Sequence, residues 1–423
     1  MVKNIRDLLR DNFFKDSFFI LLSNFFVKGV GFFVGFLLAR MIGSDAFGQF
    51  NSIKNNFFSI AAFATFGLGF VSTRYTSENK NRIPIFIIFK KIFIFPFCLS
   101  IFFFLAIIGN AKFVAINFFN LHSLQNEIQL LGLIVVLIVV TNIQNGIISG
   151  YQYFKILSFY NILVGFLNLI FTYFLTLYFS LLGACFSLLF IQLVNVIINF
   201  FIMKKINNEF DVKFNSKIYN VNLFKESLPI ALLDLVFLMT LLINSYILQN
   251  FSTYEKLGIY SASMQWYMML IFIPTVLKNV VLSHFSIDGE GALSKNKEIL
   301  KKSMAFTLCF TFFLSVFPFL FLNKIVLLYG NSYVGIEEIL PWIVITSFFA
   351  NVNIILEQFL ISKYHSWSVF FFAIIRDLGT TLSLLYFSYT VILNDLIIGL
   401  VISYMIMNIF VCILLIYKVR KIL

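Results

Sequence analysis

Apolar runs broken by short polar interruptions fill this chain almost from end to end, and the first two runs set its pattern. Ser17 to Ala39 is predicted to form one membrane-crossing helix. A second starts at Ala46 and ends at Thr73, joined to the first by the turn Arg40-Met-Ile-Gly-Ser-Asp-Ala-Phe-Gly48. Each helix carries one polar or small face: Asn24, Lys28, Gly31 and Gly35 on the first, and Asn51, Lys54 and Asn55 on the second. The Gly31 and Gly35 spacing also suits close helix packing. At a rise of about 1.5 Å per residue, Lys28 lies ~17 Å along its helix and Lys54 ~12 Å below the outer end of its own. A basic side chain at helix centre costs about 2.5–3.5 kcal/mol on insertion scales, so two at similar depth are expected to face protein or a wet cavity rather than lipid.

The same low-charge criterion predicts ten further helices. Ile92 to Ala111 and Ile128 to Phe154 come first, followed by a charge-free run from Ile156 to Met203 that is too long for one span and must turn near Ser180 to Gly183. The second half follows with Ser227 to Asn250, Leu257 to Leu277, Ser303 to Asn323, Ile339 to Ser362, Ser366 to Thr390 and Leu396 to Tyr417. Composition agrees: the chain is 60% hydrophobic and 12% charged, with 59 phenylalanines, which no soluble surface would tolerate. The expectation is an all-α integral membrane protein of twelve transmembrane helices. Its organisation is a cytoplasmic N-terminus (1–16), a six-helix bundle (17–203), a cytoplasmic linker (204–226), a second six-helix bundle (227–417) and a cytoplasmic C-terminus (418–423).

Charge sets the orientation. With the N-terminus inside, 24 of the 31 Lys and Arg fall on the cytoplasmic side, Arg40, Lys112, Lys256 and Lys324 lie outside, and Lys28, Lys54 and Arg376 lie within spans. The net charge of +12 therefore reflects membrane topology and not nucleic-acid binding. No cleavable signal is expected before the first helix, which would itself act as the insertion signal.

The halves echo each other. Asp45-Ala-Phe-Gly48-Gln-Phe50 before helix 2 matches Glu255-Lys-Leu-Gly258-Ile-Tyr260 before helix 8, an offset of 210 residues. Tyr153-Phe-Lys155-Ile-Leu-Ser158 matches Ile361-Ser-Lys363-Tyr-His-Ser366 at an offset of 208. Six spans per half put both halves in the same sense, a parallel pseudo-two-fold repeat about an axis along the membrane normal, which is transporter architecture.

Within the spans the remaining polar groups are Asp234, Glu357, Arg376 and Asp377. Amides add Asn161 and Asn168 on helix 5, Gln192, Asn195 and Asn199 on helix 6, and Asn353 one turn before Glu357. One reading is a cavity whose cations receive an anionic substrate group while amides and aromatics receive sugars. The other is pairing between helices, with Arg376 bridged to Asp234 or Glu357. For Lys28 and Lys54 the first reading is favoured, because the six predicted spans of the first half hold no carboxylate. The four cysteines lie in apolar runs without metal-ligand spacing, and His122, His284 and His365 lie in separate loops. No hydrolase, phosphate-loop or metalloprotease motif occurs and the loops are short, so an enzyme, polymerase or glycosyltransferase is not expected. No cofactor is expected, and coupling to H+ or Na+ stays open alongside the substrate's own gradient.

The run Leu38-Ala-Arg40-Met-Ile-Gly43-Ser-Asp-Ala-Phe-Gly48-Gln-Phe50, with Gly67-Leu-Gly69 and Arg74-Tyr75, resembles the opening of Wzx-type lipid-linked oligosaccharide flippases, polysaccharide transporters of the MOP or MATE-like superfamily. Gly150-Tyr-Gln152-Tyr-Phe154, Leu228-Pro229, Leu257-Gly258-Ile-Tyr260-Ser261-Ala262, Ile273-Pro274 and Leu328-Tyr329-Gly330 extend the likeness along nearly the whole chain. The resemblance implies a MATE-like fold in a bacterial inner membrane. It implies alternating access that carries an undecaprenyl-diphosphate-linked O-antigen-type repeat unit to the periplasmic leaflet. It also implies a diphosphate site at the helix 1 and 2 cations Lys28 and Lys54, and partners that include membrane lipids, a polysaccharide polymerase and a chain-length regulator. From their positions within the spans Arg376 is expected to join that site and Asp234, Glu357 and Asp377 to serve in coupling or gating, with Arg40 of the turn motif in gating. A MATE-like exporter of small molecules and another lipid-precursor flippase are the alternatives; the peptidoglycan-precursor kind would carry two more helices.

Overall fold

A single glycine divides the first long helix. In the computed structural model the residues described are 12–80, 83–210, 223–272, 274–275, 292–363, 365–390 and 396–423. The predicted N-terminal segment up to residue 11, most of the linker (211–222) and the end of the eighth predicted helix (276–277) lie outside them, as do the side chains of Asn24 and Asp234. Helix α1, Asn12–Thr65, breaks at Gly43, whose φ of 78° and ψ of 171° leave the helical region. The expected nine-residue turn thus contracts to one residue, because glycine tolerates a positive φ that a side chain would oppose. Phe66 and Gly67 follow with φ of 55° and 66°, so the second predicted span is interrupted before α2, Leu68–Asn79.

Helix α3, Ile85–Gly109, begins directly after Pro84 and seven residues before the predicted start. Lys90 and Lys91 therefore lie inside the helix, where long basic side chains can reach back to the interface. Helix α4 is Gln125–Gly150, with Glu127 in its first turn and buried. This corrects the expectation that no carboxylate lies within the first six spans: an acid in the first turn complements the helix dipole, so the helix starts earlier than the charge criterion allowed. Helix α5, Phe154–Glu209, breaks at Ser180, and its two limbs pack on each other. Phe171 and Phe190 approach to 4.2 Å between ring centroids, and the hydroxyls of Thr172 and Ser187 to 3.2 Å, across residues that one straight helix would hold far apart. A Cβ on Gly183 would run into the Leu175 carbonyl, so glycine permits this close return.

The second half contains α6 (Leu223–Phe251), α7 (Tyr254–Leu270), α8 (Ala292–Leu320), α9 (Leu322–Tyr329), α10 (Ile336–Ser362), α11 (Ser366–Thr390) and α12 (Leu396–Arg420). Eight of the described helices are long and apolar enough to cross a membrane. Two of the eight, α1 and α5, each run through two predicted spans. Helices α6 and α7 coincide with the seventh and eighth predicted spans but are too short in their described apolar parts to count among the eight.

The chain forms two compact units, Met1–Met41 with Ser52–Leu241, and Ile42–Asn51 with Leu242–Leu423. The first is built on a core of Leu68, Val71, Tyr75, Ile88, Ile92 and Ile147, among others, which joins α2, α3, α4 and the second limb of α5. The second is built on Ile355, Phe359, Val411 and Leu415 between α10 and α12.

The segment 42–51 meets α7 inside the second unit, and there the two echoed turn motifs face each other. A Cβ on Gly48 would strike the carbonyl of Tyr254 and the amide of Gly258, and a Cβ on Gly258 would strike the carbonyl of Ser44. Each glycine abuts the backbone around the residue four before the other. This reciprocal contact is what a two-fold relation between repeated elements produces.

Candidate functional site

The first limb of α1 packs on α5 through one face. Phe26 and Phe166 stand 4.8 Å apart between ring centroids, and Val30 approaches Gly165. At about 100° per residue, Lys28 falls roughly 200° from Phe26, on the opposite side of the helix and in line with Gly31 and Gly35. Lys28 is exposed there, and among the described residues it has no carboxylate partner. On the second limb Lys54 is half-buried, at the edge of the packed stripe Phe50, Ile53 and Phe57 and beside exposed Asn55. Asn51 is buried and donates from Nδ2 to the Phe47 carbonyl at 2.9 Å, while Asn55 accepts on its backbone carbonyl from Ser59 at 3.0 Å. Arg40 is exposed beside the Gly43 break.

The amides of helices 5 and 6 are partly engaged. Asn161, Gln192 and Asn195 are half-buried, and Asn168 accepts from the Thr172 hydroxyl at 3.2 Å. Asn199 is buried and donates to the Asn145 side chain on α4 at 3.0 Å. Asn142 of the same helix reaches the Thr65 hydroxyl at 3.4 Å, and Gln144 reaches the Val196 carbonyl at 3.4 Å. Sequence reasoning passed over Asn142, Gln144 and Asn145. The signal was present in the run Thr141-Asn-Ile-Gln-Asn145 within an otherwise apolar helix.

In the second unit Arg376 is enclosed by acid. Its Nε donates to Asp377 Oδ1 at 2.8 Å, and its Nη1 lies 3.9 Å from Glu357 Oε1. The side chains of Arg376, Glu357 and Asp377 are 23%, 19% and 15% exposed, respectively. Of the two readings open for Arg376, pairing between helices is the arrangement found here, with Glu357 on α10 as the partner. Asn353, one turn before Glu357, is buried and donates to the Asn408 carbonyl of α12 at 3.0 Å. Tyr267 and Tyr404 share a hydroxyl contact of 3.1 Å that ties α7 to α12. Neither tyrosine was singled out from sequence, because aromatic residues are too common in this chain to stand out, and Asn408 was passed over as a lone amide in an apolar helix.

One guanidinium against two carboxylates makes this cluster a structural commitment. Removing the cation takes from two partly buried carboxylates the guanidinium they share, and breaking a buried pair on one side costs up to about 3–5 kcal/mol. Arg376→Leu is expected to lower the thermal midpoint of the purified protein sharply, and adding Glu357→Gln and Asp377→Asn to recover most of the loss. An unchanged midpoint in Arg376→Leu would contradict the assignment.

Long apolar helices, close glycine-mediated packing and charged side chains inside apolar spans define a multi-pass all-α membrane protein. The chain belongs to the polysaccharide biosynthesis protein family, whose model matches residues 13–282, well over half its length. An uncharacterized membrane protein of Methanocaldococcus jannaschii, MJ1375, is 26% identical over 234 residues, covering 52% of this chain and 54% of that protein. The match thus spans about half of that relative's length. An inward-facing multidrug resistance MATE family transporter of the MOP superfamily superposes with a TM-score of 0.75 at 14% identity, over 96% of this chain and 97% of that one. A MOP superfamily transporter from Pyrococcus furiosus gives a TM-score of 0.72 at 14% identity, over 100% and 98%. The fold is MATE-like.

Proposed function

We propose that this protein is a flippase for a lipid-linked oligosaccharide, moving an undecaprenyl-diphosphate-linked repeat unit from the cytoplasmic to the periplasmic leaflet of the bacterial inner membrane. The observation that carries the reading is Lys28: an exposed ammonium on the α1 face opposite the α5 contact, within an apolar span, with no acid beside it among the described residues. A fixed cation in an apolar layer is stabilised by a mobile anion, and a diphosphate supplies one in strength. Lys54 on the following limb is the second cation of the same unit. The half-buried amides Asn161, Gln192 and Asn195 are suited to hydroxyl-rich sugars. Arg376, committed to Glu357 and Asp377, organises the second unit in this reading.

The family's description as polysaccharide biosynthesis proteins supports a glycan cargo over a drug-like one. The likeness to multidrug transporters supports the fold but not the cargo. Deleting the gene tests the proposal. Undecaprenyl-diphosphate-linked repeat units are expected to accumulate on the cytoplasmic side, and the wild-type gene to clear them. Cation sensitivity of the deletion strain with no lipid-linked intermediate would favour the exporter.

A further inference from the structure

One end of the first unit, the end predicted to be cytoplasmic, holds a set of lysines on a single packed scaffold. Lys80 follows α2, Lys90 and Lys91 sit near the start of α3, Lys155 opens α5, and Lys204 and Lys205 lie near its end. All are exposed except Lys80, which is half-exposed. Beneath them Tyr75, Ile83, Ile88, Tyr151, Met203 and Ile206 belong to one buried core, so these helix ends are fixed relative to each other. Tyr151 donates its hydroxyl to the Lys80 carbonyl at 3.5 Å and packs edge-on against Phe210. Tyr153 donates to Glu209, whose carboxylate also lies 3.9 Å from Lys205. Burial and then the Glu209 carboxylate push the Tyr153 hydroxyl up to about 12, so it remains a donor at neutral pH. Among the described side chains around these ends Glu209 is the one carboxylate, and it is already engaged.

The positive-inside bias explains why lysines occur on this side, but it does not explain why one of them is positioned. Topology needs only charge. Lys91, though exposed, donates to the hydroxyl of buried Tyr75 at 3.0 Å, with Nζ 5.0 Å from the ring centroid. A buried tyrosine that presents its oxygen to a surface ammonium fixes where that charge stands. Even with Lys205 beside Glu209, several ammonium groups share this end, more than a singly charged headgroup can use, whereas a diphosphate can engage several at once.

Resting on the flippase reading, we propose that this lysine collar is a first docking station, distinct from Lys28 and Lys54, that captures the diphosphate headgroup of the lipid substrate at the membrane surface before it enters the protein. Tyr75 acts as a positioning residue for Lys91.

The test uses the full chain carrying Lys28→Ala and Lys54→Ala, in zwitterionic phosphatidylcholine nanodiscs, with radiolabelled undecaprenyl diphosphate lacking sugars as the probe. This background is expected to retain salt-sensitive binding. Adding Lys90→Gln, Lys91→Gln and Lys155→Gln is expected to weaken it roughly tenfold or more and to flatten the dependence of affinity on salt. Arginine at the same three positions is expected to preserve it, which separates charge from folding. Tyr75→Phe, with every charge kept, is expected to weaken it about threefold. Undiminished binding by the glutamine variant, or competition by phosphatidylglycerol mole for mole, would overturn the collar. Equal binding by the wild type and the Lys28→Ala/Lys54→Ala background would count against the interior diphosphate site and leave the collar standing.

Discussion

Replacing either Lys28 or Lys54 by alanine is expected to reduce surface polysaccharide at least about tenfold, while the amount of protein in the membrane stays near the wild-type level. A charge-assisted hydrogen bond to phosphate is worth about 1.5–3 kcal/mol, and about 1.4 kcal/mol corresponds to a factor of ten. One lost ammonium therefore suffices to show. Lys28 gives the sharper discrimination, because it is exposed and on the helix face away from α5. A lysine facing acyl chains would carry an insertion penalty of about 2.5–3.5 kcal/mol. In that case its replacement by alanine would raise stability and leave transport intact. A lysine facing a headgroup gives the opposite result, with transport lost and stability little changed. Lys28→Arg is expected to keep export, since a guanidinium also binds phosphate. Surface polysaccharide measured beside protein level and thermal midpoint separates these outcomes.

The second large effect is expected at the glycine contact. Gly48→Ala and Gly258→Ala each place a Cβ against a backbone carbonyl, which cannot rotate aside as a side-chain tip can. Close approach of helices through small residues is a main source of packing energy within a bilayer, where no hydrophobic gain between helices is available. Either substitution is expected to depress the yield of monodisperse protein severely, and valine at either position to abolish it. Gly109→Ala is the control: a Cβ there meets nothing within 4 Å, so yield should be unchanged. Should Gly48→Ala behave like Gly109→Ala, the segment 42–51 and α7 are not in close backbone contact.

Much of this architecture is legible in the spacing of charge. The breaks at Gly43 and Ser180 fall where the apolar runs require a turn, whereas the interruption at Phe66 and Gly67 falls inside a predicted span; the paired motifs around Gly48 and Gly258 are visible as a repeat before any contact is known. What the pattern misses is where helices begin. Counting charges excluded Lys90 and Lys91 from α3 and Glu127 from α4, although each is compatible with a helix end for its own reason: long stems that reach the interface, and a first-turn acid that suits the dipole. The break at Gly43 reads as a nine-residue loop in the sequence because Arg40, Ser44, Asp45, Ala46 and Gly48 surround it, while one positive φ does the work.

Partners across helices are harder to read than faces along one helix. The polar face Gln192, Asn195 and Asn199 is apparent from spacing, but the hydrogen bond from Asn199 to Asn145 depends on how α4 packs against α5. The same holds for Arg376, whose depth is evident from its position in the chain. Its partner Glu357 is one of two acids that sequence alone leaves open.

The most direct measurement is flipping itself. The purified chain would be reconstituted in liposomes carrying a fluorescent undecaprenyl-diphosphate oligosaccharide in both leaflets, and a membrane-impermeant quencher added outside. With the wild-type chain present, the inner-leaflet pool is predicted to become quenched, and with the Lys28→Ala/Lys54→Ala chain to stay protected. A protected pool that persists with the wild-type chain, or that drains equally fast with the double variant, would contradict a diphosphate carried past these two cations.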